Sequence, residues 1–523
     1  MADMRLTRRA MIGAGLSLAA APALARADAA APVVATQYGR VRGLRENGIN
    51  VFKGIRYGAD TRTTRFQAPQ PPQPWSDIKD ATRYGPACPQ GRIDEETSED
   101  CLFLNVWSPG LDAAKRPVMV YIHGGAYASG SGSHPLTDGA RLAANGDVVV
   151  VTINHRLNAF GYAYLARLSP RFADSGNAGM LDIIMALKWV RDNIAAFGGD
   201  PGRVMLFGQS GGGAKIATLM GMEAAKGLFH RGATMSGQQV TASGPLNATA
   251  RAKAWMAALG VPDAEPERLL DLPAEKLVEG LSADDPVLNG RVYFGPVLDE
   301  KWLTRHPFWP DANPLSAHIP MILGNTLDET RGFVRGADDP RFSLTWEELP
   351  QLLASGLVVD ILPEHVVAEY RRMFPNYSPS DVYFAATTAG RSWRGQVIEA
   401  EMRNAVPAPT WVYQLNYRSP VDGGRWGAFH SLDIGLVFGT LTAKGSRTGT
   451  GPEARATSAA MQKAFVAFAR DGDPNRAGGI EWPTYRLPQR ATMIFDANPH
   501  VQNDPRGDER RLFAKVPYVQ PGT

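Results

Sequence analysis

Gly208-Gln209-Ser210-Gly211-Gly212 is the stretch on which the fold of this chain turns. The apolar run Val204-Met205-Leu206-Phe207 precedes it and reads as a buried strand. Gly213-Ala214-Lys215-Ile216-Ala217-Thr218-Leu219-Met220 follows and reads as a helix. Gly-x-Ser-x-Gly between strand and helix is the nucleophile-elbow arrangement. A serine in so tight a turn needs neighbours without side-chain bulk, because strand and helix pass close on either side and the backbone is strained. The turn lifts the hydroxyl clear of the sheet and aims the next backbone N–H at a reacting carbonyl. Alone, the same five residues also fit a plain glycine turn, so the chemistry has to come from the rest of the chain.

Around the elbow, strands and helices alternate. Residues 102–107, 118–122 and 148–153 read as strands, the last being the continuous apolar run expected of a parallel strand covered on both faces. Met180, Ile184, Leu187, Val190 and Ile194 recur in steps of three and four, which places them on one helix face. This rhythm predicts an α/β fold, a mostly parallel sheet with helices on both faces. Residues 240–290 and 340–410 are more helical and more charged, and read as insertions that roof the sheet. Strands return at 321–324 and 410–415, and 459–468 reads as a further amphipathic helix. The first part of the fold is hairpin-rich, at 37–43 and 49–55. A Pro-rich stretch at 68–75 then excludes helix and central strand.

The N-terminus reads as a targeting segment. Thr7-Arg8-Arg9-Ala10-Met11-Ile12 is a twin-arginine pattern, and the apolar run from Ala10 to Ala21 is too short to span a bilayer. Ala23-Leu24-Ala25 and Ala25-Arg26-Ala27 are small-residue cleavage patterns, so residues 1–27 are expected to be a cleaved export signal. That leaves 28–523 as a single domain, periplasmic or secreted. The chain of 523 residues is 44% hydrophobic and 20% charged, the composition of an ordinary globular protein. Its formal charge of +3 is the charge that Arg5, Arg8, Arg9 and Arg26, less Asp3, contribute to the signal. The mature chain is therefore close to neutral and has no basic stripe, which argues against a nucleic-acid partner. No later segment reads as membrane-spanning, and no heptad run signals an oligomer. Cys88 and Cys101 are the only cysteines. In an exported protein, two lone cysteines this close are expected to form a disulfide, which would contribute roughly 3 kcal/mol by closing a short loop.

A serine hydroxyl needs a positioned base, an orienting acid and backbone donors for the oxyanion. His123-Gly124-Gly125-Ala126-Tyr127 directly follows a strand, and its Gly-Gly turn can present the Gly125 and Ala126 N–H groups, with Gly211 as the third donor. Nine histidines compete for the role of base. His123 belongs to the donor loop, and His155 and His230 sit beside arginines in strand–helix regions. His430, in a late Gly-rich loop, fits the chain order serine, acid, histidine. Two carboxylates, Asp328 and Glu329, follow the strand at 321–324, and position does not choose between them.

Beyond these local readings, residues from about Tyr38 onward resemble the type-B carboxylesterases, the family that includes bacterial esterases and cholinesterases. The matching stretches are Ser98-Glu99-Asp100-Cys101-Leu102-Phe103-Leu104-Asn105-Val106, His123-Gly124-Gly125-Ala126, Phe197-Gly198-Gly199-Asp200-Pro201, the elbow, Phe294-Gly295-Pro296-Val297-Leu298-Asp299 and Val437-Phe438-Gly439. The resemblance implies an α/β-hydrolase fold with Ser210 as nucleophile, Glu329 as acid and His430 as base. It implies Gly125, Ala126 and Gly211 as oxyanion donors, and it matches Cys88 and Cys101 to the family's first disulfide. Three positions depart from the pattern: Gln209 stands for a glutamate, Gly211 for an alanine and Thr330 for a glycine. The loop from Pro89 to Asp100 contains no aromatic residue, where cholinesterases carry a cation-binding tryptophan. With the Gln209 change, this makes choline esters poor candidates. The expected function is hydrolysis of small to medium uncharged or anionic esters through an acyl-enzyme, with no metal or organic cofactor. Amide, carbamate or long-chain lipid ester hydrolysis are the nearest alternatives. A non-catalytic recognition protein is the alternative of another class, and the intact serine, acid and base stand against it.

Overall fold

The computed structural model describes residues 31–520 and 522, apart from 289 and 479–480. The proposed signal at 1–27 lies outside the described residues. In chain order the strands are β1 (Val33–Thr36), β2 (Gly39–Arg42), β3 (Leu44–Glu46), β4 (Ile49–Arg56), β5 (Ile78–Asp80), β6 (Phe103–Ser108) and β7 (Arg116–Ile122). There follow β8 (Val149–Ile153), β9 (Gly199–Gln209), β10 (Arg231–Met235), β11 (Met321–Thr326), β12 (Thr410–Leu415), β13 (Ala491–Phe495) and β14 (His500–Asn503). β1, β2 and β5 make a small sheet. The other eleven form one large sheet in the order β14-β13-β12-β11-β10-β9-β7-β8-β6-β4-β3. From β8 through β13 along this order every pairing is parallel, and antiparallel strands flank that block on both sides. This is the α/β-hydrolase architecture expected from the sequence.

Period-two alternation sorts the strand side chains into two cores. Val118, Val120 and Ile122 of β7, Val151 and Ile153 of β8, and Val204 and Leu206 of β9 join the core on one face. Their neighbours Met119, Tyr121, Val150, Met205 and Phe207 join the core on the other. Helix Ala178–Asn193 packs its apolar stripe on the first face, and helix Pro452–Asp471 covers the second. The segment read as the first insertion, with helices Pro245–Ala258 and Ala274–Glu279, contributes Trp255, Met256 and Leu277 to the first core. The segment read as the second, with helices Leu349–Gly356, Pro363–Met373, Pro379–Thr388 and Arg394–Met402, contributes Leu353, Tyr370 and Phe384 to the second core.

β9 is longer than the apolar run alone predicts, because it begins at Gly199. Its pairing with β7 slips between Gly199 and Val204. Pro201 lies in that slip, where its missing N–H costs no ladder hydrogen bond.

The expected disulfide is absent: Cys88 and Cys101 are two buried free thiols. They lie in contact, and the Cys88 side chain, burial and nearby Asp182 together push the Cys101 thiol well up. Cys88 Sγ also accepts the Leu157 N–H at 3.2 Å.

Candidate active site

Four loops at the carboxyl ends of parallel strands β7, β9, β11 and β12 converge, the usual place for a site in such a sheet. Ser210 follows β9 and starts helix Gly211–Leu219 with φ 55° and ψ −126°. A non-glycine residue held there is strained, and strain of that kind gathers at functional turns. The two residues after it, Gly211 and Gly212, lack Cβ atoms, and their neighbours in this chain occupy that space. A Cβ on Gly212 would run into the Ile122 carbonyl oxygen at the end of β7, and one on Gly211 would overlap the Ala126 carbonyl oxygen.

Glu329 opens the short helix Glu329–Phe333 just after β11 and is completely buried. One carboxylate oxygen accepts Thr326 N–H at 2.7 Å and Asn325 Nδ2–H at 3.0 Å. The other accepts the hydrogen bond from His430 Nδ1. Burial would raise this carboxyl, but the His430 charge and hydrogen bond and the Thr326 N–H outweigh it and hold the group below its ordinary value. Asp328, the alternative acid, faces elsewhere. It accepts the Ala428 N–H at 2.9 Å, and its own N–H donates to Ala428 O at 2.9 Å, which zips the acid loop to the histidine loop.

His430 therefore carries its proton on Nδ1 and leaves Nε2 as an acceptor. In the structure that acceptor takes the Gln209 Nε2–H at 3.1 Å, and no hydrogen bond joins it to Ser210 among the described residues. The glutamate expected from the family would be acceptor-only when ionised and could not make this contact with a neutral imidazole. Phe333 packs on the His430 ring with centroids 4.8 Å apart.

The competing histidines are held in supporting roles. His123 and His155 stack at 4.6 Å. Burial, aided by the neighbouring Lys215, pushes His123 down to about 3 and His155 well below its usual range, so both stay neutral. His230 accepts the Val204 N–H at the start of the apolar part of β9.

The donor loop after β7 carries Gly125 at φ 83° and Ala126 at φ 54°. No carbonyl among the described residues accepts from the N–H of Gly125 or Ala126. Gly211, the first residue of its helix, has an N–H of the kind that lacks an intrahelical partner. The three expected donors are thus free to face a ligand, and the expected acid and base are in contact. Such a set can activate a hydroxyl and stabilise a tetrahedral oxyanion.

Several contributors escaped sequence reasoning. Asn325 looks like an ordinary strand-end residue. Thr330, uninterpretable as a departure from glycine, donates to Phe384 O at 2.9 Å and meets the Thr387 and Thr388 hydroxyls at 2.8 and 3.2 Å. It docks the acid-bearing turn onto helix Pro379–Thr388. Glu399, in helix Arg394–Met402, accepts the Gln239 N–H at 2.7 Å, while Gln239 accepts the hydroxyl of Tyr127 at 2.9 Å. The second Glu399 oxygen has no partner. Burial, only partly offset by the Gln239 N–H and Arg403, pushes this carboxyl from 4.5 up to about 8. Between those two pH values the folded state retains a proton that the unfolded chain has lost, so this group's contribution to stability falls as pH rises from 4.5 to about 8. Glu399→Gln should remove that decline, gaining on the parent by up to about 1.4 kcal/mol per pH unit across the window. Urea unfolding at pH 5 and pH 8 measures it, and a constant difference between the two proteins would refute it.

Among the described residues, no cluster of His, Cys, Asp or Glu is arranged to hold a metal, and no helix is long and apolar enough to cross a membrane.

Comparison with known proteins agrees with this geometry. The profile of the Carboxylesterase family matches residues 30–513. Para-nitrobenzyl esterase of Bacillus subtilis (strain 168) is 36% identical over 501 residues, covering 92% of this chain and 98% of that protein. Fumonisin B1 esterase of Sphingopyxis macrogoltabida is 30% identical, covering 90% of this chain and 87% of its own. The crystal structure of Geobacillus stearothermophilus carboxylesterase EST55 at pH 6.2 superposes with a TM-score of 0.82 at 37% identity, covering 92% of this chain and 99% of that one. On fold, site and likeness together, the chain belongs to the carboxylesterase family, the serine-type carboxylic ester hydrolases that its motifs resemble.

Proposed function

We propose that this esterase works by acyl transfer to Ser210, with His430 as base and Glu329 as the acid that orients it. The observation that carries the reading is the buried Glu329 carboxylate on His430 Nδ1, beside a serine held at a strained elbow. Glu329 fixes the tautomer in which Nε2 accepts. When an ester enters, the Gln209 amide gives up Nε2 to the adjacent Ser210 hydroxyl. Ser210 Oγ attacks the carbonyl carbon as its proton passes to Nε2. The oxyanion receives the N–H groups of Gly125, Ala126 and Gly211. Collapse breaks the ester C–O bond, and the alcohol leaves with the proton from Nε2. Water, activated in the same way, then releases the acid and restores Ser210.

We take the substrates to be small to medium esters, and the charges around the site favour uncharged or anionic ones. Gln209 supplies no negative charge beside the nucleophile. Arg391, on the π-helical turn Ala389–Trp393, lies 5.3 Å from the centroid of the Phe333 ring that packs on His430. It has no carboxylate partner among the described residues, so its charge is free to meet an anionic group on a substrate. A fluorophosphonate should label Ser210 and no other serine, as read by peptide mass, and stop hydrolysis in proportion to labelling. In a series of p-nitrophenyl acetate, butyrate, octanoate and palmitate, kcat/KM should be highest at acetate or butyrate. Labelling elsewhere, with activity intact, would refute the assignment, and a palmitate optimum would replace it with a long-chain lipid esterase.

A further inference from the structure

Lys215 sits inside helix Gly211–Leu219, one turn past the nucleophile, and its side chain is fully buried. A buried ammonium is ordinarily paired with a carboxylate, because desolvating it is costly. Lys215 has no such partner among the described residues. Its Nζ donates instead to Ala126 O at 2.7 Å and His123 O at 3.2 Å, and lies 5.2 Å from the centroid of the Tyr127 ring. Burial pushes the ammonium down to about 7. Either protonation form keeps enough N–H bonds for two carbonyls.

The two accepting carbonyls stand at the two ends of one short segment. His123 O belongs to the peptide entering Gly124, and Ala126 O to the peptide leaving toward Tyr127. Between them lie the two peptides that carry the Gly125 and Ala126 N–H groups. Both residues have positive φ, 83° and 54°, and for Ala126 that conformation is strained and has to be imposed by its surroundings.

We propose that Lys215 is a positioning residue for the oxyanion donors, gripping the carbonyls at both ends of Gly124-Gly125-Ala126 so that the two N–H groups between them are fixed toward the reacting ester. The inference rests on the reading of Gly125, Ala126 and Gly211 as donors. It also accounts for a second departure from the family pattern. Where Lys215 holds Ala126 O, a Cβ on residue 211 would overlap that oxygen, so glycine there and lysine one turn later form a matched pair.

Four full-length variants test it: Lys215→Met, Gly211→Ala, the double variant and Ser210→Ala. With p-nitrophenyl butyrate, Lys215→Met should lower kcat by about 10- to 100-fold, less than the full removal of a donor. KM should stay within about threefold, and affinity for a trifluoromethyl ketone, which binds as a tetrahedral oxyanion, should fall by the same factor as kcat/KM. Gly211→Ala alone should lower kcat at least about tenfold, because the gripped carbonyl cannot retreat. In the Lys215→Met background the same change should cost much less, since the carbonyl is released. Equal Gly211→Ala factors in both backgrounds would overturn the proposal. So would a folded Lys215→Met protein with parental kcat. If Lys215→Met does not fold, parental kcat in Gly211→Ala still overturns it. Ser210→Ala separates the two levels: full activity there would sink the acyl-transfer reading itself, whereas its loss beside an unaffected Lys215→Met would sink only this inference.

Discussion

Ser210→Ala is expected to lower kcat for p-nitrophenyl butyrate by about a millionfold, the scale on which removal of a serine nucleophile acts in an unrelated protease. The proposed covalent path ends with the hydroxyl. What remains is attack by water in a site that still orients the carbonyl and still offers N–H groups to the oxyanion, worth roughly 10³–10⁴ over the uncatalysed rate. Fold and stability should hardly change. Alanine keeps the Cβ and inherits the same positive-φ strain, and the contacts that force the turn belong to Gly211, Gly212 and the end of β7 rather than to the hydroxyl. KM should stay near the parental value, because the hydroxyl makes no contact that positions the ester before attack. Steady-state kinetics together with a thermal melt measure both halves of this expectation. Residual kcat above about 1% of parental would place the nucleophile elsewhere.

Glu329→Gln should cost about 10⁴ in kcat, through the histidine tautomer rather than through a lost contact. The amide oxygen of glutamine can keep the hydrogen bonds from Asn325 Nδ2 and Thr326 N, since these are donors anchored at the end of β11. Its NH2 group then faces His430 Nδ1. Two donors cannot share that contact, so the imidazole moves its proton to Nε2, and Nε2 can no longer accept from Ser210. The imidazolium formed during attack also loses its buried counter-charge. Stability shifts with a defined sign. The parental carboxyl is held below its ordinary value, so its stabilising contribution is present above the unfolded value of 4.5 and fades as pH falls through the lowered folded value. The glutamine protein should lack that contribution at neutral pH and converge with the parent in acid. A stopped assay at pH 8 and unfolding curves at pH 7 and pH 3 give the two readouts. A loss of less than about tenfold in kcat would mean that another group orients the base.

Much of the fold was legible in consecutive residues. The continuous apolar runs of β8 and β9, the three-and-four spacing of helix Ala178–Asn193 and the glycines of the elbow encode local geometry, and each became the element expected. The candidate site was legible in part. The order of serine, acid and histidine favoured His430; the neighbouring carboxylates at 328 and 329 look equivalent along the chain, and only the resemblance to the type-B carboxylesterases singled out Glu329. Their difference lies in direction: Asp328 meets a backbone N–H of the histidine loop, while Glu329 reaches the ring 101 positions away.

By itself the sequence determined a mostly parallel, doubly covered sheet and the elbow, because side-chain period and turn sterics act between residues a few positions apart, while its resemblance to the type-B carboxylesterases supplied the α/β-hydrolase fold and the catalytic groups. The tertiary structure alone decided how those groups pair. It put the Gln209 amide, rather than Ser210, on His430 Nε2, the Thr330 hydroxyl against helix Pro379–Thr388, and the Lys215 amine onto the carbonyls of a loop 89 positions earlier. Such contacts depend on where chain segments far apart in sequence come to rest. Burial then fixes their strength, since a buried donor must take whatever acceptor the fold places within reach.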